Sequence, residues 1–404
     1  MTLDYFNPKL LKFMYFLVTR QRFMNSVQIA DELRINGEHV TDRTVRRWMT
    51  FLNNERNFNY FINAKHESLG LMPIFVLMHN LKKTKVLDII PYLAYVEYGI
   101  CLGKMDNGFL VEYFLPPENL KKLKLFLDDC VNRGFMDNYE VHPCFSAIAL
   151  YSQFHKVVDK DGNLRFENNN EKELTYFTRL LEQKLNKRVK CNIHPGIKRN
   201  PLIVPLLCEH FREASLSSKK AYRLLKERVG EKMWDYFRDI KIKRKRNCGA
   251  CVRFIQKTIK YLHENAEDFV QQIRISYTPL YLGENVGVYL IVRLKENRRV
   301  VDFAMEVAKK SLQLLVHPPY NKRGQMIFFV ITNFRALVEI LNEILPRYMD
   351  PSSDNKLFLR DLHKTRFWQE SKLHNKINYC DVFDPVNIKW KYLHQEYMSK
   401  LKKM

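Results

Sequence analysis

Arg43, Arg46, Arg47 and Thr50 recur three or four residues apart, a spacing that on a helix stacks three guanidinium groups and a hydroxyl along one side, with Thr44 beside them. Guanidinium forks placed this way suit phosphate oxygens and the acceptor edge of guanine. Lys241, Lys243, Arg244, Lys245 and Arg246 form a compact cationic run, and Arg253, Gln256, Lys257 and Lys260 share one helical face shortly after it. Both groups suit phosphates. Cys248 and Cys251 have the two-residue gap that lets two thiolates reach one tetrahedral zinc, and Cys191 with His194 repeats that gap. The two pairs are far apart in the chain, so zinc is a cofactor the sequence raises without requiring it. No phosphate-cradling glycine loop, HExxH, nucleophile elbow or kinase-type signature is present, and His142, His155, His210 and His317 are scattered. The chain is therefore expected not to be an enzyme, and no catalytic residue is assigned.

Composition agrees with a polyanionic partner. Across 404 residues the formal net charge is +23, and the sequence pI is about 9.5; counterion release from nucleic acid rewards such an excess of Lys and Arg. The eight cysteines are scattered apart from the one close pair, which implies a reducing compartment. No apolar run approaches the ~20 residues of a membrane helix, and no signal segment opens the chain, so a cytoplasmic location without membrane contact is expected.

The elements that must carry the arginines follow from hydrophobic period. Leu10, Leu11, Met14, Leu17 and Val18 mark a first helix, and Ile29, Ala30 and Leu33 a second. After a turn at Asn36-Gly37, Thr41 or Asp42 caps a third helix whose apolar stripe is Val45, Trp48, Met49 and Leu52. The alternation in "FNYFINAK" predicts a wing whose tip touches backbone phosphate. Beyond Gly70 the pattern reads strand, helix, strand, strand, helix, strand, with a hairpin through Gly103, Asp106, Asn107 and Gly108. The plan then recurs. "NPLIVPLLCEHF" echoes "NPKLLKFMYFL", "CVRFIQKTIKYLHEN" echoes "TVRRWMTFLNNER", and "YLGENVGVYLIVRL" echoes "SLGLMPIFVLM", with offsets of 193 (Asn7 to Asn200), 207 (Val45 to Val252) and 213 (Gly70 to Gly283).

The expected fold class is α+β: winged helix-turn-helix heads and two ferredoxin-like βαββαβ domains in tandem duplication. The expected domains are a winged helix at 1–66, a ferredoxin-like domain at 67–155 and a polar linker at 156–199. A divergent second head with a basic insertion at 200–275, a second ferredoxin-like domain at 276–367 and a tail at 368–404 complete the chain.

On "VQIADEL", "TDRTVRRWMTFL", the entry "SLGLMPIFVLM" and the hairpin "GKMDNGFLVEYF", residues 1 to 150 resemble the Lrp/AsnC (feast/famine) family of archaeal and bacterial winged-helix transcription regulators. That resemblance implies sequence-specific binding of double-stranded DNA, dimerisation through the ferredoxin-like domain, and a small-molecule effector near the hairpin, where Gly103 and Asp106 are the matching positions. Duplication implies an intrachain pseudo-dimer, open to further homodimerisation. The alternative from resemblance is a tetrapyrrole enzyme of the sirohaem decarboxylase type, which uses paired modules of this kind; RNA binding is a third reading.

Overall fold

The computed structural model describes residues 7–20, 24, 26–54, 58–82, 93–102, 106–149, 158–163, 178–179, 181–183, 185, 190–210, 217–237, 248–277, 285–296, 299–320, 324–360, 383–391 and 394–403. They fall in two compact units, each assembled from separated stretches of chain.

The first unit comprises Met1–Lys65, Tyr151–Asn170 and Arg199–Gly283 and holds both heads. In the first head, α1 (Pro8–Arg20), α2 (Ser26–Ile35) and α3 (Asp42–Asn54) are followed by β1 (Phe58–Ala64). Gly37 ends α2 with a φ of +86°, and the Glu38 N–H returns to the Leu33 carbonyl at 2.9 Å, so the turn needs the left-handed backbone that glycine adopts freely. Leu10, Leu11, Met14, Ile29, Ala30, Leu33, Val45 and Met49 are buried, and Trp48 leans on Phe13 with ring centroids 5.0 Å apart. These are the stripes that the 3.6-residue period marks.

The second head repeats the first. Alongside α5 (Ile203–His210) and α7 (Cys248–Glu264) it contains α6 (Ser218–Val229), then β7 (Val270–Tyr277); α4 (Leu120–Asn132) belongs to the other unit. Asn7 and Asn200 cap in the same way, each carboxamide oxygen accepting the N–H two residues on, at 3.0 and 3.2 Å. The helix missing from the sequence reading is α6, capped by Ser217, with Ala221 and Leu225 buried where the first head buries Ile29 and Leu33. A further correction concerns register. Buried Ile255, Thr258 and Ile259 stand where Val45, Trp48 and Met49 stand, and both helices then end together, so the offset is 210 (Val45 to Ile255) rather than 207. The extra chain of the second head lies between α6 and α7 and includes the 3-10 segment Gly230–Phe237.

The expected wing is also corrected. β1 pairs antiparallel with β7, from Phe58 opposite Tyr277 to Ala64 opposite Val270, so its hydrogen-bonding edge faces the other head's strand. At the centre of the ladder Phe61 faces Arg274, a separation of 213, which is also the spacing of Gly70 and Gly283. A local dyad therefore passes through the middle of the ladder. The turn at Asp159 to Asn163 packs on the start of α1 so closely that a Cβ on Gly162, whose φ is +84°, would stand 2.0 Å from the Pro8 carbonyl oxygen.

The second unit comprises His66–Leu150, Glu171–Lys198 and Glu284–Met404. Its first repeat has β2 (Met72–His79), β3 (Leu93–Leu102), β4 (Asp106–Leu115), α4 (Leu120–Asn132) and β5 (Asn138–Pro143), with a short β6 (Ile148–Ala149). The helix expected between β2 and β3 lies outside the described residues. The second repeat has β8 (Asn285–Val292), α8 (Val300–Lys310), β9 (Gln313–His317), β10 (Met326–Asn333), α9 (Phe334–Glu339) running on through a π turn at Ile340–Ile344, and β11 (Lys356–Arg360). Taken together, the strands form one nine-stranded sheet, β5-β2-β4-β3-β11-β8-β10-β9-β6. Each repeat contributes its four strands in the order fourth, first, third, second. The fourth strand of the second repeat, β11, joins the second strand of the first, and β6, which extends the first repeat's fourth strand, joins the second strand of the second. This exchange is reciprocal, as a dyad requires.

The sheet curls so that its halves face one another: the Phe75 ring lies 6.3 Å from Tyr289 and 4.6 Å from His317. On the outer face of the second half, Val288, Leu290, Val292 and Phe328 pack against Val300, Phe303 and Val307 of α8 and Leu337 of α9. The buried Glu67 carboxylate accepts both the N–H and the hydroxyl of Ser146 at 2.7 Å, which fixes the bend between β5 and β6. The tail returns to this unit: the hairpin β12 (Phe383–Asp384) to β13 (Lys389–Trp390) directs the Trp390 indole N–H to the Leu69 carbonyl at 2.6 Å, and α10 (His394–Lys402) lies against α4.

Candidate functional site

In the first head, α3 starts at a capped turn in which the Thr44 N–H donates to the Thr41 hydroxyl at 3.2 Å. Its buried side takes up Val45 and Met49, which turns Arg43, Arg46, Arg47 and Thr50 outward and leaves Thr44 half-buried. Their charges are not equivalent. Arg46 pairs with Asp42 one turn earlier and its Nε–H reaches the Asp42 carbonyl at 3.4 Å, so part of its charge is answered on the helix itself. Arg43 and Arg47, one turn apart, present the stronger cationic ridge, and the positive end of the helix dipole adds to it.

The α7 helix is two-faced in the same way: Cys251, Ile255, Ile259 and Leu262 are buried, while Arg253, Gln256, Lys257 and Lys260 are exposed. Under the corrected register these four occupy the places of Arg43, Arg46, Arg47 and Thr50. The 241–246 basic run lies outside the described residues, as does Gly103; Asp106 opens β4, with its side chain outside them too. Of the cysteine and histidine pairs, Cys191 and His194 belong to the second unit, and the His194 Nδ1 accepts the Gly196 N–H at 3.1 Å. Cys251 is packed in the first unit's core. Among the described residues no three His, Cys, Asp or Glu side chains gather as metal ligands.

Sequence reasoning missed the ionisable cluster between the facing halves of the sheet. Glu140 on β5 accepts from His79 Nε2 at 2.9 Å, lies 3.6 Å from His142 Nε2, and pairs with Lys356 of the second repeat, which also pairs with Asp354 at 2.8 Å. Burial works against ionisation of Glu140, but the neighbouring His142, the hydrogen bonds from His79 and Lys356 and the Lys356 charge outweigh it, holding the carboxyl well below the usual range. Glu112, directly opposite Phe75 on the neighbouring strand as His142 is on the other side, has no such help, and burial pushes it up to about 8. It is a neutral acid at pH 7. The available signal was a charged residue inside an apolar strand, as in "FLVEYFL".

No protein-family profile matches the chain, and no curated protein does. Among described residues, no helix is long and apolar enough to cross a membrane. Two solved structures are similar to it. One is the crystal structure of the siroheme decarboxylase NirDL, with a TM-score of 0.47 and 10% identity over 97% of this chain and 99% of that one. The other is NirDL in complex with an iron-uroporphyrin III analogue, with a TM-score of 0.44 and 9% identity over 87% and 90%. Likeness of this degree assigns no activity. The expectation that the chain is not an enzyme is nevertheless withdrawn: both structures are of a decarboxylase, and missing motifs exclude no activity.

Proposed function

We propose that the protein binds double-stranded DNA as a sequence-specific transcription regulator, with α3 as the helix that enters the major groove. The observation that supports this is the ridge of Arg43 and Arg47, exposed beside Arg46 and Thr50 on a capped helix whose opposite side is anchored in the head's core. Reversing both charges, Arg43→Glu with Arg47→Glu, should abolish duplex binding while leaving the melting profile unchanged. Each phosphate contact contributes roughly 0.9 to the log–log salt slope, so wild-type affinity should fall steeply with added salt. A flat response would overturn the reading. The hairpin at Gly103 and Asp106 remains the proposed effector site.

A second reading is supported by one arrangement in the other unit: Glu112, level with His142 across β2, is a half-buried carboxyl that burial pushes up to about 8. A neutral, half-buried acid can donate a proton to the carbanion left when carbon dioxide departs, the step that completes a decarboxylation. Titration with siroheme, followed by its visible absorption and by carbon dioxide release, tests it; an unchanged spectrum at stoichiometric protein rules it out. The two readings use different units and do not compete for residues.

A further inference from the structure

Among the described residues the second head, divergent in sequence, carries more exposed cations than the first. On α7 these are Arg253, Lys257 and Lys260, and on α6 Lys219, Arg223 and Lys226 are exposed as well. Their acidic neighbours answer little of this: Arg223 is 3.9 Å from Glu227 and Lys260 is 3.6 Å from Glu264, all of them solvent-exposed pairs. The first head is more balanced on its supporting helix, where Arg34 pairs with Asp31 at 2.6 Å.

Residue type separates the heads further. The outward face of α3 is arginine, whose planar fork matches two acceptors at once and so can distinguish guanine. The equivalent places on α7 hold one arginine, one glutamine and two lysines, and five of the seven cations just named or added with half-buried Lys220 are lysines. Lysine is a compact point charge on a flexible stem, suited to phosphate and poor at discriminating bases. The β1–β7 ladder and its dyad hold both helices in one unit.

We propose that one chain grips one duplex with both heads and divides the labour: α3 reads bases, while α6 and α7 hold phosphates of the same duplex without reading sequence. This rests on the DNA reading above. Its signature is an operator with information in one half only.

The test uses the full chain and two duplexes, one selected by the protein from a random pool and one shuffled. Arg253→Ala, Lys257→Ala and Lys260→Ala are combined in one variant, and Arg43→Ala with Arg47→Ala in another; all five side chains are exposed, and circular dichroism checks each fold. The α7 variant should weaken both duplexes by the same factor, flatten the salt slope by about 2.7 (three contacts at roughly 0.9 each) and leave the ratio of the two affinities unchanged. The α3 variant should collapse that ratio. Binding should saturate at one chain per duplex. Two chains per duplex, an unchanged salt slope in the α7 variant, or a loss confined to the selected duplex would each overturn the division of labour while the DNA reading stands. Failure of the wild type to bind any duplex would remove the DNA reading itself.

Discussion

Replacing Glu112 with glutamine should change how stability depends on pH by an amount that follows from its surroundings. In the unfolded chain this carboxyl ionises at about its ordinary value of 4.5, whereas burial in β4 raises it to about 8 in the fold. Because the folded value is the higher one, the unfolded state gives up its proton first as pH rises. Stability is lost between pH 4.5 and about 8 and is level outside that window, with a slope of roughly 1.4 kcal/mol per pH unit inside it. Integrated from pH 5 to pH 7, the loss is about 2.5 kcal/mol. Glutamine cannot titrate and keeps nearly the same shape, so Glu112→Gln should be spared this loss. Every other ionisable group is the same in both proteins and cancels in the comparison. Urea unfolding followed by far-ultraviolet dichroism at pH 5 and pH 7 gives the gap between variant and wild type. It should move by about 2.5 kcal/mol in favour of the variant on going to pH 7. A gap that is the same at both pH values would show that Glu112 is already ionised in the fold, and the account of a neutral acid facing Phe75 would be wrong.

Gly162→Ala should destabilise the first unit by about 2 to 4 kcal/mol, since the left-handed backbone costs roughly 1 to 2 and the new methyl would collide with the Pro8 carbonyl; thermal melting measures it, and a neutral result refutes that contact. Lys356→Ala removes the second repeat's partner from Glu140 and should cost about 3 kcal/mol, whereas Lys356→Met, which refills the space, with Glu140→Gln should recover most of it; a double variant no better than Lys356→Ala in urea unfolding would contradict this. Trp390→Phe leaves the Leu69 carbonyl without its indole donor, so the 383–391 hairpin should be cut faster by limited proteolysis, with a loss of about 1 to 2 kcal/mol.

Where a helix buries one side, its period was legible. Ile29, Ala30 and Leu33, or Val300, Phe303 and Val307, can be read directly because burial recurs with the backbone's own 3.6-residue turn. That same regularity explains the misjudged register. A shared Val-Arg dipeptide drew Val45 onto Val252, although a slip of three residues barely alters an apolar stripe, and only the observed burial of Ile255, Thr258 and Ile259 separates the two alignments. The wing could not be read correctly because β1 finds its partner near residue 274, and nothing local in "FNYFINAK" specifies what pairs with it. The Glu140 to Lys356 tie spans 216 residues and was invisible for the same reason. A charged residue in an apolar strand signals an interior polar group, but it cannot name the partner.

The β1–β7 ladder also sets a timetable for synthesis. Phe58–Ala64 leaves the ribosome long before Val270–Tyr277, and at roughly 5 to 20 residues per second the wait is on the order of 10 to 40 s. Throughout that interval the first head exists as helices beside a strand with a bare edge. The second unit faces the same delay, because β3 waits for β11 and β6 for β9. A nascent chain of this design depends on something that keeps unpaired edges apart until the second repeat emerges, and a stall or truncation between the repeats would release a product bearing open strand edges. The duplication thus replaces an encounter between two molecules with a delay within one.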